Sequence, residues 1–271
     1  MNEKQLHSDI KSVFKVLRLP AMLSSYQGIS DKARKESLSY EEYLYNLLSE
    51  EEQSRENKRI ERWMKESRLP LEKTMENFDK KRLPKKLEGQ LSSILEGGFV
   101  NRRENILAFG NPGSGKTHLL CAIAHEMIYL GYTVLFKKCS LMVQELLIAK
   151  QELRLPKYLR QLSKYDLLII DDIGYIQQNR EEMEVLFTLL SERYERGSVM
   201  LTSNLPFSKW EQIFKDPMTT AAAIDRLVHH CIILELNLPS YRLEESKRKK
   251  TEGGDNVTES RKNKPVILIV V

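Results

Sequence analysis

Residues Gly110, Asn111, Pro112, Gly113, Ser114, Gly115, Lys116 and Thr117 follow the pattern GxxxxGK[ST]. A polyphosphate needs many hydrogen-bond donors at close range. Glycines let successive backbone N–H groups turn inward, and a helix that starts at the same point adds the partial positive charge of its amino terminus. Lys116 supplies a mobile cation for β and γ phosphates, and Thr117 a hydroxyl for Mg²⁺. The alternative is a Gly-rich turn that merely contains Lys-Thr. Its surroundings argue against that, because Ile106 to Phe109 reads as a strand and His118 to Leu130 as a helix.

A second group follows the apolar run Leu167 to Ile170. A buried strand ending in Asp171 delivers a negative charge to the carboxyl edge of a sheet, where a phosphate loop also opens, so Asp171 suits a Mg²⁺ shell. Asp172 can accept a proton from, or orient, the water that attacks a γ phosphate; as an alternative, both acids cap the following turn. Asn204, after Thr202 and Ser203, brings an amide to the same edge, though a plain turn before Leu205-Pro206 needs nothing more. Arg226 has two readings, a local pair with Asp225 or a finger that reaches a neighbouring subunit's nucleotide. His229-His230 invites a metal reading, but adjacent helix positions diverge and the pair reads as structural; His118 reads as packing on its helix, and Trp63 and Trp210 as packing residues or interface anchors.

These groups need a scaffold. Five β-type runs, Ile106 to Phe109, Thr133 to Phe136, Leu167 to Ile170, Val199 to Thr202 and Ile232 to Leu236, alternate with amphipathic stretches. Parallel strands require crossover connections, so the pattern predicts an α/β parallel sheet between helices. Thr133 to Phe136 intervenes between the loop strand and the acidic strand, which predicts an additional strand between them. Upstream, Ser8 to about Ser67 is helical in pattern, starting one helix near Ser39 and placing Tyr43, Leu44, Leu47 and Leu48 on one face. Lys80, Lys81, Arg82, Lys85 and Lys86 then read as a basic hinge. The expected organisation is a helical domain over 1–79, a hinge and lead-in helix over 80–104, a catalytic α/β domain over 105–243, and a disordered basic tail over 244–271 with an apolar end.

The chain has 271 residues, 41% hydrophobic and 30% charged, which excludes collagen-like and wholly disordered classes. Its net charge of +5 permits a nucleic-acid partner without requiring one. No apolar run approaches the roughly 18 residues of a membrane span, and the first residues lack the apolar centre of a secretory signal. Three widely spaced cysteines, Cys121, Cys139 and Cys231, suit free thiols in a reducing cytoplasm. The expectation is a cytoplasmic protein with no membrane partner.

Taken in order, Gly110 to Thr117, Asp171-Asp172-Ile173-Gly174-Tyr175, Thr202 to Phe207 with Trp210, Asp225-Arg226-Leu227 with His229-His230, and Ser240-Tyr241-Arg242 resemble the IstB-like transposition helper ATPases. These are AAA+ proteins related to the DnaC-type helicase loaders. Upstream, Leu17 to Pro20, Leu38 to Leu44 and Arg55 to Pro70 resemble that family's helical amino-terminal domain, so the likeness runs from about Val13 to Arg242.

The resemblance implies a P-loop AAA+ three-layer fold with a five-stranded parallel sheet, preceded by a small all-helical domain. It implies ATP and Mg²⁺ as cofactors, with Asn204 as first sensor and Arg226 as a finger acting in trans. It further implies homo-oligomers that form with ATP on DNA, largely without sequence preference, and a transposase as partner; a DnaC-like replicative helicase loader is the alternative. Asp172 stands where many AAA+ ATPases have Glu. Its shorter side chain predicts slow turnover. The few residues between Leu236 and the tail leave no room for a helical lid domain, and Arg242 would compensate as a second sensor.

Overall fold

The computed structural model describes residues 2–173, 180–210, 217–241 and 243–244. The chain divides into two compact units, Met1–Lys65 and Glu66–Val271. In the first, helices α1 (Glu3–Val16) and α2 (Pro20–Glu36) are followed by most of α3 (Tyr40–Ser67). The start of α3 is a reciprocal cap. The Ser39 amide donates to Glu42 Oε2 at 2.7 Å, and the Glu42 amide donates to Ser39 Oγ at 3.2 Å. Helix α2 begins with Pro20, whose missing N–H costs nothing there, and its own N-cap residue, Leu19, offers no side-chain acceptor. Glu51 of α3 takes that role, accepting the Ala21 and Met22 amides at 2.8 and 3.1 Å. Met22, Tyr26 and Leu47 form the small core, with Phe14 and Tyr43 packed against it. Leu44 and Leu48, expected on the same buried face, are about half exposed. A core built on Met22, Tyr26 and Leu47 does not cover a stripe that wide.

In the second unit, the 80–104 stretch, read above as a basic hinge and lead-in helix, is largely helical. It forms a 3-10 turn (Lys80–Arg82), α4 (Lys85–Leu95), which buries Leu87, Leu91 and Ile94, and α5 (Gly98–Asn101), which buries Phe99 and Val100. The elements that follow are β1 (Asn105–Gly110), α6 (Lys116–Tyr129), β2 (Val134–Lys138), α7 (Cys139–Gln151), α8 (Leu155–Leu162), β3 (Leu167–Ile173), α9 (Arg180–Arg193), β4 (Ser198–Ser203), α10 (Pro217–Val228) and β5 (Cys231–Leu236). The five strands form one parallel sheet in the order β2-β3-β4-β1-β5.

A strand does separate β1 from the acidic strand β3, but it is β4; β2, the strand that intervenes in sequence, lies at the edge. Sequence order does not dictate spatial order when each strand returns through a helix. Leu107, Leu168, Ile170 and Leu201 on the strands pack with Met142, Leu146, Leu186 and Leu189 on α7 and α9 in the main core. Arg193, buried at the end of α9, donates to the carbonyl oxygens of Tyr165, Asp166 and Ser198 and so fastens the starts of β3 and β4. Burial pushes its guanidinium down to about 10, against the opposing pull of Asp166. Arg242, Gly174, Tyr175 and the tail from 245 onward lie outside the described residues, as do the expectations that fall on them.

Candidate nucleotide-binding site

The loop from Gly110 to Gly115 leaves the carboxyl end of β1 and runs directly into α6. Its glycines hold conformations that L side chains rarely adopt, with φ of 150° at Gly110, 80° at Gly113 and 98° at Gly115. Space is as limiting as torsion. A Cβ on Gly113 would lie 2.2 Å from Ser240 Oγ. The Lys116 ammonium, nearly buried, donates to the carbonyl oxygens of Gly110 and Asn111, each at 2.9 Å, so it is folded back over the loop. Ser114 Oγ is buried with no hydrogen-bond partner among the described residues. An orphaned hydroxyl in a glycine loop at a helix start is what an incoming phosphate oxygen would satisfy.

Asp171 is 4% exposed. Its Oδ1 accepts from Thr117 Oγ1 at 2.8 Å and from Thr202 Oγ1 at 2.7 Å. A hydroxyl and a carboxylate oxygen at that spacing form a hard donor set suited to Mg²⁺. Strand β3 continues past Asp171 to Ile173, with a register shift against β4 between Ile170 and Ile173. Asp172 sits in that shift at φ 63°, its amide donating to Thr202 Oγ1 at 2.8 Å. The left-handed residue breaks the strand alternation. As a result Asp172 is exposed and borders the same cavity as Lys116, Thr117 and Asn204.

That cavity encloses about 530 Å³. Its remaining walls are residues that spacing alone did not single out. Phe78 packs edge-on against His118, ring centroids 5.3 Å apart, and would touch a Cβ on Gly115 at 3.4 Å. His118 and His125 are hydrogen-bonded to the carbonyl oxygens of Thr74 and Pro70, so the segment from 70 to 78 is laid along α6. From the opposite side the Tyr241 amide donates to Gly113 O at 3.0 Å. Arg82 lies over the Tyr241 ring at 5.2 Å, donates to Pro239 O at 2.8 Å and pairs with Glu244 at 2.9 Å. Arg82 of the basic stretch thus forms part of the wall, and the segment after β5 crosses the loop directly.

Arg226 is elsewhere. It donates to Ala222 O at 3.1 Å and lies over the Phe187 ring at 4.7 Å; no ion pair with Asp225 forms among the described residues. It borders a cavity of about 270 Å³ shared with Arg103, Asn105 and His230. Asn105 opens β1 and Gly110 closes it. At about 3.3 Å per residue the two ends stand roughly 17 Å apart, so Arg226 is out of reach of its own chain's phosphate loop. His229 and His230 follow α10 instead of lying on it. Their rings stand 4.1 Å apart, so the expected divergence does not occur.

A glycine loop between strand and helix, paired carboxylates on the strand two places away and an intervening β4 define a P-loop α/β fold of the AAA+ type. The chain matches the family described as IstB-like ATP binding protein over residues 12–249, and it belongs to that family. It is 41% identical over 227 residues to an insertion-sequence ATP-binding protein of Sinorhizobium fredii, covering 83% of this chain and 76% of that one. To the protein of Pseudomonas aeruginosa named for ATP binding in insertion sequence IS21 it is 37% identical, covering 86% and 88%. Among solved structures, AMPPCP-bound DnaA from Aquifex aeolicus shares the fold, with a TM-score of 0.53 at 22% identity, covering 68% of this chain and 56% of that one. Among the described residues no helix is long and apolar enough to cross a membrane.

Proposed function

We propose that this chain is an ATP-hydrolysing helper of insertion-sequence transposition. ATP-bound copies assemble on DNA with little regard to sequence and recruit or activate a transposase, and hydrolysis resets the assembly. The observation that carries the reading is the split site: Thr117, Asp171, Asp172 and Asn204 gather at one end of the strands, while Arg226 sits at the other. A site divided in this way is completed only by a second copy, which couples hydrolysis to assembly. The names of the two relatives above, both from insertion sequences, support the setting.

In this reading the loop amides, Ser114 and Lys116 hold the phosphates. Thr117 and Asp171 would hold Mg²⁺, which when bound offsets charge on the phosphate oxygens. Asp172 orients the attacking water and accepts its proton, and Asn204 donates to the γ phosphate or to that water. Arg226 of one copy neutralises charge at the neighbour's nucleotide. Phosphate contacts summed over many copies would let a chain of net charge +5 hold DNA.

The test is phosphate release and sedimentation of the full chain, with and without ATP and duplex DNA, beside a pull-down against the transposase and a replicative helicase. ATP-dependent assembly on DNA, weakening steeply with salt, and retention of the transposase are expected. Retention of the helicase alone would turn the reading to a helicase loader. ATP binding and assembly without phosphate release would leave a nucleotide-gated scaffold.

A further inference from the structure

The turn after α9 and the turn after α10 bring Glu195, His229 and His230 together, with one ligand-capable atom from each within 4.8 Å of the others. All three side chains are exposed. We propose that this trio binds a divalent transition-metal ion with the ligand preference of zinc. Two imidazoles and a carboxylate are a donor set zinc takes up readily. A tetrahedral ion about 2.1 Å from each donor sets those donors roughly 3.4 Å apart, so the exposed side chains need draw in by no more than about 1.4 Å.

Two contacts prepare the site. Tyr194 Oη lies 3.1 Å from His229 Nδ1. A partner on one ring nitrogen orients an imidazole and leaves the other nitrogen for a metal. Arg103 donates to the Glu195 carbonyl oxygen, which anchors the turn carrying the carboxylate. The arginines nearby are directed elsewhere, Arg102 to Glu104 and Arg226 to Ala222 O, but their charge keeps the affinity modest. Three protein donors leave the fourth position to water. A bound ion would staple the turn after α9 to the turn joining α10 and β5, which begins three residues after Arg226.

The test uses the full chain without nucleotide, in excess Mg²⁺ so that zinc does not occupy the Thr117–Asp171 pair. Zinc is titrated by calorimetry, and cobalt provides an absorption signature of nitrogen and oxygen ligation. Saturable binding of one zinc per chain is expected, with a rise in Tm of a few degrees. His229→Ala, His230→Ala and Glu195→Gln should each weaken binding at least about 10-fold and remove the Tm rise, with far-ultraviolet circular dichroism unchanged. Wild-type protein that binds no zinc, or variants that bind it as wild type does, would overturn the proposal. Neither result depends on ATP hydrolysis, so the proposed function stands or falls separately.

Discussion

Gly110 and Leu236 are paired across β1 and β5 so closely that a Cβ on Gly110 would lie 2.2 Å from the Leu236 carbonyl oxygen. The obstruction is backbone within a paired strand, which cannot swing aside. Gly110→Ala should therefore cost about 1–3 kcal/mol, the usual penalty of forced overpacking. Gly131 provides the contrast. It holds φ 92° with nothing within 4 Å of an added Cβ, so Gly131→Ala should cost about 1 kcal/mol from torsion alone. Urea denaturation of both variants separates the two effects, and equal losses would show that backbone contact at Gly110 is unimportant.

Glu51 makes the first unit sensitive to acid. Burial pushes its carboxyl up, but the Met22 amide, Arg55 and the Ala21 amide together outweigh burial and hold it below the ordinary 4.5. Because the folded value is depressed, the stabilisation is fully present above about pH 4.5 and is lost as pH falls through the folded value. Glu51→Gln should lose about 1.5–3 kcal/mol at neutral pH, the range for hydrogen bonds to a charged group. The gap to wild type should close on acidification. Thermal melts by circular dichroism at several pH values measure this, and a gap independent of pH would mean that charge plays no part.

Asp172 holds φ 63°, a conformation that Asp and Asn tolerate better than Glu. The backbone thus gives a reason for Asp at this position in place of a longer acid. Asp172→Asn preserves shape and torsion while removing the base. Hydrolysis should fall by about 10²–10⁴ with nucleotide affinity unchanged. Phosphate release and equilibrium nucleotide binding, measured side by side, decide it; hydrolysis at the wild-type rate would remove Asp172 from the chemistry.

The phosphate loop and the two aspartates were legible because their chemistry lies in contiguous residues whose torsions are set locally. The order of the sheet was not. That β4 and not β2 lies beside β1 depends on pairings such as Phe109 with Ser203, which no local periodicity encodes. The cavity walls were hidden for a similar reason. Arg82 reads by composition as part of a basic linker, and its role emerges only from Pro239, 157 positions away, and from Tyr241. Glu51 likewise reads as one acid in a charged run until the uncapped start of α2 is seen to lie against it. Leu44 and Leu48 show the reverse error, since helical spacing placed them on a face that the small core only partly covers.

Arg226 and Lys116 offer the sharpest test of a site shared between copies. Arg226→Ala should retain nucleotide binding, because its guanidinium touches Ala222 O and Phe187 and not the loop, yet lose hydrolysis by roughly 10³-fold or more, the range for an arginine finger. Lys116→Ala should lose nucleotide binding, because the triphosphate loses the cation that neutralises it. Each variant alone should be close to background. Mixed together, an ATP-bound Arg226→Ala copy can receive the intact arginine of a Lys116→Ala neighbour, so phosphate release should partly recover and depend on the ratio of the two. If no ratio restores activity while both proteins remain folded and sediment together, Arg226 serves only the packing of its own chain against Ala222 O and Phe187, and the coupling of hydrolysis to assembly must come from another residue.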